Sequence, residues 1–267
     1  MRARRTPDAM NKPITFDPYS ILVDFYDHWA EPQRDDIPFY VKRATAVKSP
    51  VVELGTGTGR IAIPIARAGQ DVIGVDVSGA MLTEAARQAS AEGVAGRLTF
   101  VEGDMRTFVA DPPVELVIVP FRGFLHLLTV EDQLAALASI RRSLVPGGRL
   151  VLNIFVPDPE IQVSLNGRKT SHGEFVDERG RRCEMWGLPE YDVTSQLLHL
   201  RVGLDVYDGE RLVDTIETGF DLRAIYRYEF EHLLARAGFE VEALYGWFDE
   251  RPLESDAREQ IWVARKP

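Results

Sequence analysis

The sequence carries a single cysteine, Cys183, among 267 residues, which excludes an intramolecular disulfide and a cysteine-based metal cage. A reducing, cytoplasmic setting is the corresponding expectation. No run approaches the roughly 18 apolar residues of a membrane-spanning helix, and the basic start Met1-Arg-Ala-Arg-Arg leads into no apolar signal core, so it reads as a solvated tail. Basic charge is scarce as well: 31 lysines and arginines face 41 acids, for a net charge of −10. That balance opposes binding to DNA or RNA, whose affinity rests on many cationic contacts to phosphate. His-Glu-x-x-His and Ser/His/Asp patterns are missing and the five histidines are scattered, so no metal is expected. What remains is a chain with 45% hydrophobic residues, long enough for one full core with an elaboration. Its expected partner is a small molecule, and its expected state a monomer or homodimer.

The run Val51-Val-Glu-Leu-Gly-Thr-Gly-Thr-Gly-Arg60 is the most informative stretch. Apolar residues, an acid and three alternating glycines, followed by a helical pattern over residues 61–68, read as strand, tight turn and helix, the ligand end of an α/β unit. The glycines fall at 55, 57 and 59, whereas the dinucleotide fingerprint GxGxxG requires one at position 60, here Arg60. Glu53 agrees with this departure: a carboxylate at the end of the first strand repels a pyrophosphate and suits a ligand carrying an ammonium group. A second apolar strand over residues 70–75 ends in Asp76, where a ribose diol can donate both hydroxyls to one carboxylate. Capping the helix over residues 79–91 is the structural alternative for Asp76, with Ser78 also able to cap. A third strand over residues 98–101 leads into Gly103-Asp104-Met105.

In this order and spacing, Glu53-x-Gly55-x-Gly57-x-Gly59, Asp76 and Gly103-Asp104-Met105 resemble the Rossmann-like, class I S-adenosylmethionine-dependent methyltransferases of small-molecule type. The resemblance covers roughly residues 15–157 and 221–267. It implies S-adenosylmethionine as cofactor and S-adenosylhomocysteine as product. Glu53, Gly55, Thr56, Gly57 and Gly59 would line the amino-acid end of the cofactor, Asp76 the ribose, Asp104 the adenine amine and Met105 the ring. Val77, Met81 and Phe121 join the implied cofactor contacts. Thr56 stands where many members have Cys or Ser, a small departure because the contact expected there is through backbone. In the family an N-terminal helix closes over the methyl donor, and Tyr26 in Phe25-Tyr26-Asp27 matches its recurring tyrosine. Tyr19 is a second candidate, on the substrate side. An aromatic face beside a sulfonium contributes on the order of 0.5–2 kcal/mol by cation–π attraction; plain core packing is the alternative for this aromatic segment.

The expected fold is α/β: a Rossmann-like doubly wound sheet of about seven strands, the last one antiparallel and at the edge, with an antiparallel β insertion as a cap. Residues 1–46 form a tail and two short lid helices, with Pro32 and Pro38 breaking the segment. Residues 47–157 form the cofactor-binding core. Within them a fourth strand over 116–119 leads into Pro120-Phe-Arg-Gly-Phe-Leu-His126, and a helix beginning near Thr129 stops at Pro146-Gly147-Gly148 before a fifth strand over 149–155. Residues 158–220 form the cap: Leu198, Leu200, Val202, Leu204 and Val206 alternate with polar residues, and Asp208-Gly209 turns the strand back. Only a strand at 182–187 is legible in the polar stretch before it. Residues 221–267 return to the core with a helix over 228–237 and two final strands.

The loop after the fourth strand lies beside the topological switch, so it faces the transferred group and is the expected acceptor site. His126 is the candidate base, since an ordinary pKa of about 6.5 suits neutral pH; a structural hydrogen bond is its alternative. Arg122 is the candidate for holding a carboxylate or phosphate, which would make the acceptor anionic or zwitterionic. The expected activity is methyl transfer to nitrogen or oxygen of a small molecule. Two alternatives stand beside it: a nicotinamide-dependent oxidoreductase, which Asp76 permits while Glu53 and Arg60 oppose it, and a non-catalytic domain that binds S-adenosylmethionine.

Overall fold

The computed structural model describes residues 17–30 and 34–267. The arginine-rich tail and the break expected at Pro32 lie outside these residues. Three short helices come first: α1 (Tyr19–Leu22), α2 (Tyr26–Ala30) and α3 (Asp36–Ala44). Pro38 does not break the segment but sits in the first turn of α3, where a backbone N–H would have no helical partner anyway. The core then runs β1 (Val51–Leu54), α4 (Ala62–Arg67), β2 (Val72–Asp76), α5 (Gly79–Ala91), β3 (Leu98–Glu102), β4 (Val114–Val119), α6 (Val130–Ser143) and β5 (Leu144–Phe155). A helix α7 (Pro159–Leu165) leads to β6 (Thr170–Val176), β7 (Arg182–Asp192), β8 (Leu197–Asp208) and β9 (Arg211–Arg223). The chain closes with α8 (Arg227–Arg236), β10 (Glu240–Tyr245) and β11 (Glu259–Arg265).

The core sheet has the order β10-β11-β5-β4-β1-β2-β3. β1 pairs in parallel with β2 on one side and β4 on the other, so the order reverses there and a crevice opens beyond the carboxyl ends of these strands. Both faces are covered, which is why β1 and β4 read as nearly continuous Val, Leu and Ile rather than as an alternation. One face packs on α6 and α8 through Leu137, Phe230 and Leu234. The other packs on α3 and α4 through Phe39, Tyr40, Ile61 and Ile65. Ser78 caps α5 and Thr129 caps α6, each accepting from the backbone N–H three residues on.

One expectation about the sheet is corrected. β11 is antiparallel, but it lies between β5 and β10 rather than at the edge. Its residues are buried up to Arg265, which an edge position would not provide. The second sheet, β6-β7-β8-β9, is antiparallel throughout. Its apolar face, with Met185, Val202, Leu204 and Val206, packs against Leu22 and Phe25 of the lid segment. The lid is thus held between the cap sheet and the core.

Arg60, the residue that spoils the dinucleotide spacing, ties the glycine turn to α3. Its guanidinium makes two parallel bonds to Asp36, at 2.8 and 2.5 Å, and Asp36 is only 2% exposed. Removing one partner from such a buried pair strands the other charge, at a cost of about 3–5 kcal/mol. Asp36→Ala should therefore lower stability by that amount in denaturant unfolding; a loss below about 1 kcal/mol would class the pair with surface bridges.

Candidate functional site

The glycine turn after β1 adopts a backbone that ordinary residues avoid: φ is +74° at Gly55, +55° at Gly57 and +85° at Gly59. The turn reaches across to the loop after β4, so that a Cβ on Gly55 would stand 4.0 Å from Gly123 Cα. Gly55, Val77 and His126 are all exposed, while Tyr26, Asp76, Met105 and Phe121 are half-buried around them. The Tyr26 ring stands beside Gly57 and Phe121, so the glycine turn, the first helices and the loop after β4 meet at the switch point.

Glu53 lies under the turn, 2% exposed. Burial pushes its carboxyl up to about 8, with the nearby Thr56 hydroxyl and Arg60 guanidinium opposing the rise. Among the described residues, neither its Oε2 nor the Thr56 hydroxyl makes a directed hydrogen bond, although both are buried. A buried carboxyl oxygen without a partner among the described residues, beside a glycine-floored turn, fits a cationic ligand group, because such a group would supply the missing partner. Asp76 has both oxygens engaged by backbone: Oδ2 accepts from Gly57 N–H at 2.8 Å and Oδ1 from Ser78 N–H at 2.9 Å. Burial raises its pKa, and these N–H groups counter the rise. The cap of α5 is Ser78, so Asp76 is left to face the crevice with its remaining lone pairs.

The lid adds the aromatic wall. The Tyr26 ring lies over the turn, 3.8 Å from where a Cβ of Gly57 would be. Asp27 accepts from Thr58 Oγ1 at 2.6 Å and from Gln88 Nε2 at 2.5 Å, and Ser78 Oγ donates to Asp17. These links latch the lid to the turn and to α5. Tyr19 stacks on Phe220 of β9 with centroids 5.3 Å apart, and its hydroxyl is hydrogen-bonded to His126 Nε2 at 2.8 Å. The imidazole is accessible yet set deep within protein, and this surround pushes its pKa down to about 4. It is neutral at pH 7 and a weak base.

Three sequence candidates stand elsewhere or are otherwise engaged. Asp104 is held by Arg106, which donates from its backbone N–H at 2.8 Å and from its guanidinium. Burial raises the Asp104 pKa, but the Arg106 bonds outweigh it and hold the carboxyl below its ordinary value. Met81 is buried in the cluster with Leu22 and Phe25, under the lid. Arg122 is paired with Glu259 of β11, its Nε donating at 3.0 Å.

Sequence reasoning did not single out Asn153, Glu259, Asp27 or Phe220. Asn153 gave a signal, as the one polar side chain within the apolar run of β5 after Arg149; the others gave none, because their roles come from strands and helices distant in the chain.

Folding raises the Glu53 pKa from an ordinary value of about 4.3 to about 8, so the folded state favours the protonated acid. The stability this permits is complete at low pH and is lost as pH climbs through 8. Glu53→Gln, which mimics the protonated form, should melt close to wild type at about pH 5 and above it at about pH 9 without ligand. An equal difference at both pH values would contradict the assignment.

Comparison with known proteins gives the same picture. Residues 51–148 match the family model described as a methyltransferase domain. The ribosomal protein L11 methyltransferase of Thermus thermophilus is 32% identical over 135 residues, 47% of this chain and 49% of that protein, so the chain spans about half of that relative's length. Among solved structures, the CcbJ methyltransferase from Streptomyces caelestis superposes with a TM-score of 0.75 at 24% identity, covering 88% of this chain and 96% of that one. CalS10 from Micromonospora echinaspora, solved with S-adenosylmethionine and described as an amino pentose methyltransferase, gives 0.68 at 22% identity, covering 96% and 100%. With the glycine turn and the seven-stranded order in place, residues 51–148 match a methyltransferase domain and the chain shares the Rossmann-like fold of these solved methyltransferases.

Proposed function

We propose that the protein transfers a methyl group from S-adenosylmethionine to an amine nitrogen on a small, ring-bearing acceptor. The observation that carries the cofactor half is the buried Glu53 carboxyl under the glycine turn, whose Oε2 has no hydrogen-bond partner among the described residues. Glu53 and the turn would hold the amino-acid end, Asp76 the ribose, and the Tyr26 ring the face of the donor. When bound, the cofactor supplies an electrophilic methyl on a sulfonium. The protein's part is to orient the acceptor along one line with that methyl and to exclude water, which can contribute about 7–11 kcal/mol.

The acceptor half is read from the crevice's chemistry. Its guanidiniums already meet carboxylates: Arg60 with Asp36, Arg106 with Asp104 and Asp132, Arg122 with Glu259. The anionic acceptor expected from Arg122 thereby loses its support. Aromatic rings of Tyr19, Tyr26, Phe121 and Phe220 instead gather there, Tyr19 stacked on Phe220 and the Arg60 guanidinium 4.6 Å over the Phe121 ring centroid, an environment that would suit a ring or a cation. A base near pKa 4 is poorly matched to stripping a proton from a hydroxyl, but a neutral amine brings its own lone pair and needs only an orienting hydrogen bond. His126 and Tyr19 are placed to give that bond. The similarity to CalS10, an amino pentose methyltransferase, supports the same acceptor class.

Thermal-shift measurements separate the competing ligands. A ligand at 100 times its dissociation constant adds about 2.7 kcal/mol, so S-adenosylmethionine and S-adenosylhomocysteine should raise the melting temperature and NAD should not. Stabilisation by NAD alone would favour the oxidoreductase reading. Product formation over a panel of amines, phenols and carboxylates should be confined to amines. Methylation of carboxylates only would overturn the nitrogen assignment, and an empty panel with tight S-adenosylmethionine binding would favour the non-catalytic reading.

A further inference from the structure

The loop between β4 and α6 contains two consecutive non-glycine residues in the left-handed region, Phe121 at φ +51° and Arg122 at φ +66°. Side chains with a Cβ rarely adopt this conformation, and a strained pair persists only where its surroundings over-determine it. Behind the loop lies a buried polar chain drawn from three distant elements. Asn153 on β5, 2% exposed, accepts through Oδ1 from the Phe121 N–H at 2.8 Å and from the Tyr40 hydroxyl at 2.9 Å. Its Nδ2 donates to Glu259 Oε2 at 2.9 Å, and Glu259 Oε1 accepts from Arg122. Both strained residues are thus gripped, one through its backbone and the other through its side chain.

We infer that Asn153, acting with Glu259, is a positioning residue for the acceptor side of the crevice. Its amide holds the left-handed pair so that Phe121 lies edge-on to Tyr26 with ring centroids 6.4 Å apart, and so that the following 3-10 turn, Gly123–His126, delivers His126 to Tyr19. A carboxylate or an aliphatic group could not do this. The site needs an acceptor for the Phe121 N–H and a donor for Glu259 on one short side chain, which the asparagine amide provides on two separate atoms. For what the loop faces, the inference rests on the methyl-transfer reading; for how the loop is held, it does not.

The test follows the His126 ring by NMR titration and the Phe121 amide by hydrogen exchange in the full chain, with S-adenosylhomocysteine affinity measured by calorimetry. In Asn153→Ala the His126 midpoint should rise by about one pH unit or more toward the ordinary histidine value of about 6.5, and the Phe121 amide should lose protection. Arg122→Ala, at a half-buried and more forgiving site, should move the midpoint in the same direction and keeps the test open if the first variant fails to fold. Tyr40→Phe should lower the melting temperature and leave the His126 midpoint in place, because it spares the bond to Phe121. An unchanged midpoint and unchanged Phe121 protection in the folded Asn153 or Arg122 variant would overturn the inference. Neither readout needs an acceptor, so failure to bind S-adenosylhomocysteine with the clamp signals as expected would count against the methyl-transfer reading alone.

Discussion

The site depends on keeping a carboxyl group in the interior of the sheet with one oxygen unpaired. Glu53 sits on a central strand between β2 and β4, where water cannot reach it, and the turn above it is made of glycines whose φ values other residues would resist. Such a group is costly for the empty protein, since burial penalises its charged form. A bound ammonium reverses that penalty. On the proposed reading, affinity for an amino-acid-bearing nucleoside would depend on a group that the ligand-free protein keeps neutral.

Around this centre, three pieces of chain are brought together by side chains rather than by the sheet. Asp27 and Asp17 fasten the lid to Thr58, Gln88 and Ser78. Arg60 fastens the turn to α3 through Asp36. Asn153 and Glu259 fasten the loop after β4. The second sheet sets Phe220 against Tyr19 and His126, bringing together residues separated by up to about two hundred positions.

The core was legible because a parallel sheet covered on both faces leaves a strong trace: apolar runs punctuated by Gly55, Asp76 and Gly103 at the carboxyl ends of the strands. The backbone positions of Gly55, Asp76 and Gly103 are legible for the same reason, since those residues follow their strands directly. β6 was not, because an edge strand with mostly exposed residues carries no alternation to read. The position of β11 was misread as an edge, although the unbroken Ile261-Trp262-Val263 shows it to be covered. The ion pair of Arg122 is not legible, because a charged residue in a loop gives no hint that Glu259, 137 positions away, will engage it. Local sequence marks a backbone device well and a tertiary ion pair poorly.

The most direct measurement is calorimetry of S-adenosylhomocysteine binding at pH 7 in buffers of different ionisation enthalpy. If Glu53 is protonated in the ligand-free protein and ionised against the bound ammonium, close to one proton should leave per ligand at pH 7 and almost none above about pH 9. Glu53→Gln should abolish the release. Binding of wild type without proton release at pH 7 would contradict the claim that a buried neutral carboxyl is the receptor for the cofactor's cationic end.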